Sequence, residues 1–235
     1  MELSIALPCF NEEANIVQTL TDLDAWMKSQ NIHGNMICVD DGSRDTTFQV
    51  LEGLKSRFPN LVTLKHPENI GYGAAVRTGC DAARTEWIAF MDSDRQFHAS
   101  DFGKLTPFCG EYDIVVGRRR HRADPFLRKV NAKCFGILTW TALGVWVRDV
   151  NCAMKIYRRS VWQEIRPTFS TGALFNAELF ARARRRGYTW KQVDVGHYPR
   201  VRGAQTGARP GVILRMFQEL NALCRSLQKE GKNNV

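Results

Sequence analysis

Five short apolar runs punctuate the first half of the chain: "LSIALP" (3–8), "MICVD" (36–40), "LVTLK" (61–65), "WIAFMD" (87–92) and "DIVVG" (113–117). Between them lie segments such as "EEANIVQTLTDLDAWMKSQ", with apolar residues at three- and four-residue spacings. Runs of that length read as buried strands and that spacing as amphipathic helix. Their alternation admits few folds, and it predicts an α/β architecture: a mostly parallel sheet with helices on both faces. Ligands of such sheets bind beyond the carboxyl ends of the strands. Here those ends are followed by "PCFNEE", "DDGSRDTT", "HPENIGYGAAVRTG", "DSDRQF" and "GRRR". Any one of these is ordinary turn composition, but five at one edge describe a ligand crevice.

The chain has 235 residues, 44% of them apolar, enough for one large domain or a domain with an extension. No stretch reaches the roughly 18 to 20 uncharged apolar residues of a membrane span; the longest candidate is "CFGILTWTALGVWV" (134–147). The N-terminal "MELSIALPCFNEE" lacks a basic leader region and reads as a first core strand, which predicts a cytoplasmic protein. Seven scattered cysteines, without a C-x-x-C pair, read as buried free thiols. Charge is divided sharply. Residues 1–114 carry 9 Lys/Arg and 17 Asp/Glu, whereas 115–235 carry 24 and 7. The basic half suits nucleic acid, an anionic membrane surface or a phosphorylated substrate, although "RARRRG" (182–187) also fits a helix end where cations oppose the dipole.

In "FMDSDRQF" (90–97), Asp92 and Asp94 stand one residue apart at a strand end. Alternate residues of an extended segment point to one side, so the pair can aim two hard oxygen ligands at a divalent cation; a solvated turn is the alternative. "GYGAAVRTG" is only loosely a glycine fingerprint, and no acidic residue follows at dinucleotide-site spacing.

"LPCFNEEANI", "VDDGSRDTT", "HPENIGYGAAVRTG", "MDSDRQF" and "VVGRR", in this order, resemble the Rossmann-like GT-A fold of family 2 glycosyltransferases. "FLRKVNAKCF", "VRDVNCAMKIYRR", "TGALFNAELFARARRRGY" and "HYPRVRGAQTG" resemble the polyprenyl-phosphate branch, typified by dolichyl-phosphate mannose synthase. The resemblance implies a catalytic domain over 1–205, with a nucleotide-sugar half at about 1–120 and an acceptor half at 121–205, then an amphipathic extension over 206–235. It implies a nucleotide-sugar pocket from Pro8, Phe10, Asn11, Glu12, Asp40, Asp41, Gly71, Gly73 and Asp92. Asn11 and Ser43 are also plausible helix caps. It implies Mg²⁺ or Mn²⁺ held by Asp92, Asp94 and Gln96, and an acceptor phosphate held by Arg118, Arg128 and Arg202, with Asp94 also catalytic. Arg119, Arg120 and Lys129 would stand behind these or face the membrane, and Asp149 and Asn151 would meet the donor sugar or form a structural turn.

The implied reaction is metal-dependent, inverting transfer of a monosaccharide from GDP-mannose or a UDP-sugar to a dolichyl-type phosphate. A hydroxyl acceptor would need a general base, whereas a lipid phosphate is already ionised near neutral pH. The implied location is the cytoplasmic face of a membrane. "DPFLRKVNAKCFGILTWTALGVWVRD" would lie on the bilayer as amphipathic helix, with attachment peripheral or supplied by a separate anchoring subunit; an ordinary core helix is the alternative. Two other functions fit the residues: transfer to a saccharide hydroxyl, and a non-enzymatic nucleotide-sugar or nucleic-acid binder. No nucleic-acid recognition motif is present, so no nucleic-acid partner is expected.

Overall fold

The computed structural model describes residues 1–120, 126–172, 174–200 and 219–227, without the side chains of 126–132. Strands β1 (Leu3–Cys9), β2 (Met36–Asp40), β3 (Leu61–Lys65), β4 (Trp87–Phe90) and β5 (Ile114–Arg119) coincide with the five apolar runs to within two residues at each end. β6 (Lys155–Arg158) and β7 (Trp190–Val195) complete one seven-stranded sheet of order β3-β2-β1-β4-β6-β5-β7. β6 runs antiparallel to both of its neighbours, so β5 and β7 point the same way as β1 to β4. All five strand ends anticipated from sequence therefore meet at one edge.

The helices are α1 (Ile16–Ser29), α2 (Thr47–Gly53), α3 (Tyr72–Ala82), a short α4 (Phe102–Leu105), α5 (Phe126–Leu143), α6 (Arg159–Ile165) and α7 (Phe175–Arg185). α1 buries Ile16, Leu20, Leu23 and Met27, the stripe its spacing predicts. α3 lies close on β1 because Gly79 carries no side chain: a Cβ there would come within 2.7 Å of the Ala6 Cβ. Burying the stripes of these helices against the apolar residues of the sheet is the main stabilising contribution, at roughly 25 cal/mol per Å² removed from water.

Sheet order reverses direction at β1, which has β2 on one side and β4 on the other. β4 pairs with β1 only as far as Ala6↔Phe90, while β1 continues along β2 to Cys9↔Asp40. The early end of β4 opens a notch beside residues 7–9. Pro8 sits at this open edge, where its missing N–H costs no ladder bond.

α5 is half core and half surface. Phe135 and Thr139 are buried, whereas Ile137 and Trp140 are 52% and 49% exposed, and Trp146 just beyond is 60% exposed. Trp140 and Trp146 meet edge to face at 5.1 Å. No helix among the described residues is long and apolar enough to cross a membrane. Residues 219–227 are helical and send Leu220, Leu223 and Leu227 into the core. The "RARRRG" cluster is structural. Arg182 pairs with the buried Glu178 at 2.8 Å, Arg186 lies 3.4 Å from Glu164, and Arg184 and Arg185 donate to the Leu143 and Leu227 carbonyls. Cys9, Cys38, Cys80 and Cys152 are buried free thiols as expected, but Cys134 is exposed and Cys109 and Cys224 are half-buried.

Candidate active site

Two loops wall the notch. After β1, Asn11 takes a left-handed conformation (φ 57°), which Asn tolerates better than most residues other than Gly. Its N–H donates to Ser43 Oγ at 2.9 Å, and its Oδ1 accepts from the Arg44 N–H at 2.8 Å. Asn11 and Ser43 are therefore staples between the first two strand-end loops rather than helix caps. Phe10 is 37% exposed at the rim. Glu12 is buried; its Oε2 accepts from Asn15 at 2.7 Å, its Oε1 accepts from Arg200, and burial raises its carboxyl above the usual range.

After β2, the two aspartates have different tasks. Asp41 accepts from the Ile70 and Gly71 N–H groups at 3.1 and 3.0 Å and contacts His66 Nδ1 at 2.7 Å. It fastens the β3–α3 loop to β2. Asp40 accepts from the Ser43 N–H at 3.2 Å, and its buried Oδ2 has no hydrogen-bond partner. Gly71 (φ 110°) and Gly73 permit a close approach, but of protein to protein: a Cβ would lie 2.7 Å from the Thr171 carbonyl at Gly71 and 2.7 Å from Phe175 at Gly73.

The acidic loop follows β4. Ser93 Oγ donates to the Pro8 carbonyl at 2.7 Å and Thr19 Oγ1 to the Ser93 carbonyl at 3.0 Å, which fixes the loop against β1 and α1. Asp92 is half-buried, but its Oδ1 is enclosed without a hydrogen-bond partner. Burial, with the Asp94 charge beside it, pushes its carboxyl up to about 7, opposed by a hydrogen bond from Tyr72 and the charges of Arg119 and Lys155. Asp94 accepts from the Gln96 N–H at 3.1 Å and lies 3.5 Å from Arg200.

Among the described residues, no group of three or more His, Cys, Asp and Glu side chains could hold a metal alone. The unsatisfied Asp92 Oδ1 beside Asp94 does fit Mg²⁺ or Mn²⁺ in its usual mode, in which one or two carboxylates share the ion with substrate phosphates. Gln96, two residues on from Asp94, is tied to Tyr198. Its amide nitrogen donates to the Tyr198 carbonyl at 3.2 Å, and its own carbonyl accepts the Tyr198 N–H at 3.0 Å.

The basic side of the edge begins at the end of β5. Arg118, Arg119, Arg120, Arg148 and Asp149 line a cavity of about 550 Å³. Arg118 Nε donates to Asp194 at 2.5 Å, and Arg120 lies 3.6 Å from the same carboxylate. The hydrogen bond from Arg118, with the charges of Arg118, Arg120 and Arg148, holds the Asp194 carboxyl below its ordinary value. Arg119 turns inward: its side chain is 9% exposed, its backbone N–H donates to Asp149 at 3.1 Å and its guanidinium grips both Asp149 oxygens at 2.7 Å. Asp149 thus has a structural partner, and Asn151 meets Asn176 at 3.4 Å. Arg128 falls in the first turn of α5, where side chains are outside the described residues, as are those of Lys129 and the whole of Arg202.

Four residues escaped sequence reasoning. Tyr72, Arg148 and Arg200 carried no distinguishing pattern. Lys155 did carry one, as a single lysine inside the apolar "CAMKIY". It is fully buried, with Nζ donating to the Cys152 carbonyl and to Asn176 Oδ1 at 2.9 Å, and burial lowers its ammonium to about 8.

An acidic notch with unsatisfied oxygens thus opens at the switch point of a mostly parallel sheet and shares its edge with an arginine-lined cavity. Residues 4–166 match the model of Glycosyl transferase family 2, and the chain belongs to that family. It is 35% identical over 71% of its length to a dodecaprenyl-phosphate galacturonate synthase of Rhizobium johnstonii, 50% of which is covered. It is 29% identical over 94% of its length to an undecaprenyl-phosphate 4-deoxy-4-formamido-L-arabinose transferase of Shewanella sediminis, 66% of which is covered. The chain thus spans half to two thirds of these curated relatives. Glucosyl-3-phosphoglycerate synthase from Mycobacterium tuberculosis, crystallised with Mn²⁺, uridine diphosphate and phosphoglyceric acid, shares the fold with a TM-score of 0.71 at 17% identity, over 95% of this chain and 78% of that one.

Proposed function

We propose that the chain transfers a monosaccharide from a nucleotide sugar to a polyprenyl phosphate, with inversion and with Mg²⁺ or Mn²⁺. The observation that carries this is the cavity of Arg118, Arg119, Arg120 and Arg148 on the same edge as the acidic notch. The names of the two curated relatives, both acting on polyprenyl phosphates, support it. In this account residues 1–120 hold the donor, and the later part of the catalytic domain, to about 205, holds the acceptor.

Asp92 and Asp94 would hold the cation, which when bound neutralises charge on the departing diphosphate. Asp40 Oδ2 is an unfilled acceptor for a base or ribose donor, and Phe10, exposed at the rim, offers an apolar wall. Arg118 and Arg148 receive the acceptor phosphate. Arg118 is partly exposed and, among the described residues, is paired with Asp194, so a phosphate with two charges can replace that carboxylate. Arg119, locked by Asp149, keeps the cavity's inner wall in place. One phosphate oxygen bonds to the anomeric carbon as the bond from that carbon to the β-phosphate oxygen breaks, and the electron pair leaves with the nucleoside diphosphate. No proton has to be removed from the nucleophile, so no general base is required.

Ile137, Trp140 and Trp146 form an exposed apolar face suited to the headgroup level of a bilayer, close in sequence to Arg148. Peripheral docking there would bring a lipid phosphate to the cavity. The test is transfer of radiolabel from UDP- and GDP-sugars into solvent-extractable product with a short polyprenyl phosphate. Product with any one sugar supports the assignment; none across the panel, with the protein folded and Mn²⁺ present, refutes it.

A further inference from the structure

After β7 the chain crosses back over the acidic loop. The Gly196 N–H donates to Asp101 at 2.8 Å, Tyr198 exchanges two hydrogen bonds with Gln96, and its ring stacks on His98 at 3.9 Å. These contacts deliver Arg200 into the notch. One guanidinium nitrogen donates to Glu12 Oε1 and the other lies 3.5 Å from Asp94 Oδ2. The arginine side chain is only 17% exposed, and Glu12 and Asp94 are 6% and 11% exposed. One cation therefore bridges the loops after β1 and β4, the two strands that flank the switch point.

We infer that Arg200 is an internal counter-cation for the acidic notch, which excludes a divalent ion until a diphosphate arrives with it. The inference rests on the metal assignment made above and concerns the order in which that site fills. The guanidinium and a metal compete for Asp94 Oδ2, because two cations sharing one small oxygen repel at short range. A metal entering alone must displace the guanidinium from Asp94 and cost this largely enclosed arginine one of its two carboxylate contacts, an unfavourable exchange. A nucleoside diphosphate changes the balance by bringing phosphate oxygens to which both the metal and the displaced guanidinium can turn. Arg200 thus makes metal and nucleotide binding mutually dependent, and each should strengthen the other by the same factor. The strap gives the device its position, since Gln96 sits two residues from Asp94 and holds Tyr198, two residues from Arg200.

The test is Mn²⁺ binding to the whole chain, read as loss of the free-ion electron paramagnetic resonance signal, with and without UDP or GDP. Wild type should bind Mn²⁺ weakly alone and much more tightly with the nucleotide. Arg200→Gln should bind Mn²⁺ alone about 10- to 100-fold more tightly than wild type, the factor lost when a charge-assisted competitor is removed, and should show correspondingly less coupling to the nucleotide. Arg200→Lys, which keeps a cation, should stay near wild type. Adding Asp94→Asn to Arg200→Gln should cancel the gain. If Arg200→Gln binds Mn²⁺ alone no better than wild type while both bind it with nucleotide, the counter-cation role is overturned and the metal assignment stands. A gain that survives Asp94→Asn also overturns it. If neither protein binds Mn²⁺ even with nucleotide, both the metal assignment and this inference fall.

Discussion

Replacing Asp92 by Asn should stabilise the metal-free protein at alkaline pH and do little at acid pH. The cause is the enclosed Oδ1 beside Asp94, which raises the folded-state carboxyl to about 7 from an ordinary value of 3.8. The folded protein then holds a proton that the unfolded chain has released. Stability from this group is present below the unfolded value, falls as pH rises from about 4 to 7, and levels off above 7. Two pH units of that window, from 5 to 7, correspond to about 2.7 kcal/mol at 1.36 kcal/mol per unit, and allowance for the residue's open side reduces this to about 1 to 2 kcal/mol. Asn resembles the protonated acid in shape and carries no charge, so it avoids the loss. For a chain of this size about 1 to 2 kcal/mol is roughly 2 to 8 °C in Tm. Thermal melts of both proteins in chelator at pH 5 and pH 8 should show the gap widening by that amount in favour of Asp92→Asn. Mn²⁺ with UDP or GDP at pH 8 should close the gap by stabilising wild type. A gap independent of pH, or one that widens in favour of wild type as pH rises, would show that the Asp92 carboxylate is not destabilised in the fold.

Asp94→Asn should lower kcat/KM on the order of 10³-fold or more, and chelation should abolish transfer, while the cooperative melt is kept; activity in excess chelator would remove the metal from the mechanism. Asp149→Ala removes the carboxylate that grips the enclosed Arg119 guanidinium and should cost about 3 to 5 kcal/mol in denaturant unfolding, against under about 1 kcal/mol if the pair were solvated. Trp140→Ser with Trp146→Ser should weaken sedimentation with anionic vesicles without altering the melt, and the binding of the parent should fall as salt rises; unchanged sedimentation would move the lipid-facing surface elsewhere.

The apolar runs made five strands and their shared ligand edge legible, because each run is a local pattern and parallel alternation leaves little choice of topology. β6 and β7 were not legible. "KIYR" is short and begins with a buried lysine, and "WKQVDV" alternates on a half-exposed surface, so neither stands out as core. The antiparallel placement of β6 between β4 and β5 is a long-range choice that no local pattern encodes. Residue types in the site were readable and their directions were not. Gln96 turns to a carbonyl 102 residues away, and Glu12 is matched by an arginine 188 residues away. Gly71 and Gly73 announced a close approach without saying to what, and Phe175 and Thr171 answer that only in three dimensions. Asp40 and Asp41 look equivalent in the chain, and strand geometry alone gives one an unfilled oxygen and the other a loop to hold.

The central claim is that a lipid phosphate, held by the arginine cavity, is the nucleophile. Its most direct test is turnover of one nucleotide sugar with a polyprenyl phosphate and with the corresponding free polyprenol, in wild type and in Arg118→Ala/Arg148→Ala. Transfer should occur to the phosphate alone, with no pH limb from a catalytic base near 7. The double variant should lose on the order of 10²-fold or more in kcat/KM for the phosphate, with donor affinity little changed. Equal turnover of polyprenol and polyprenyl phosphate, or a double variant impaired in donor binding instead, would contradict it.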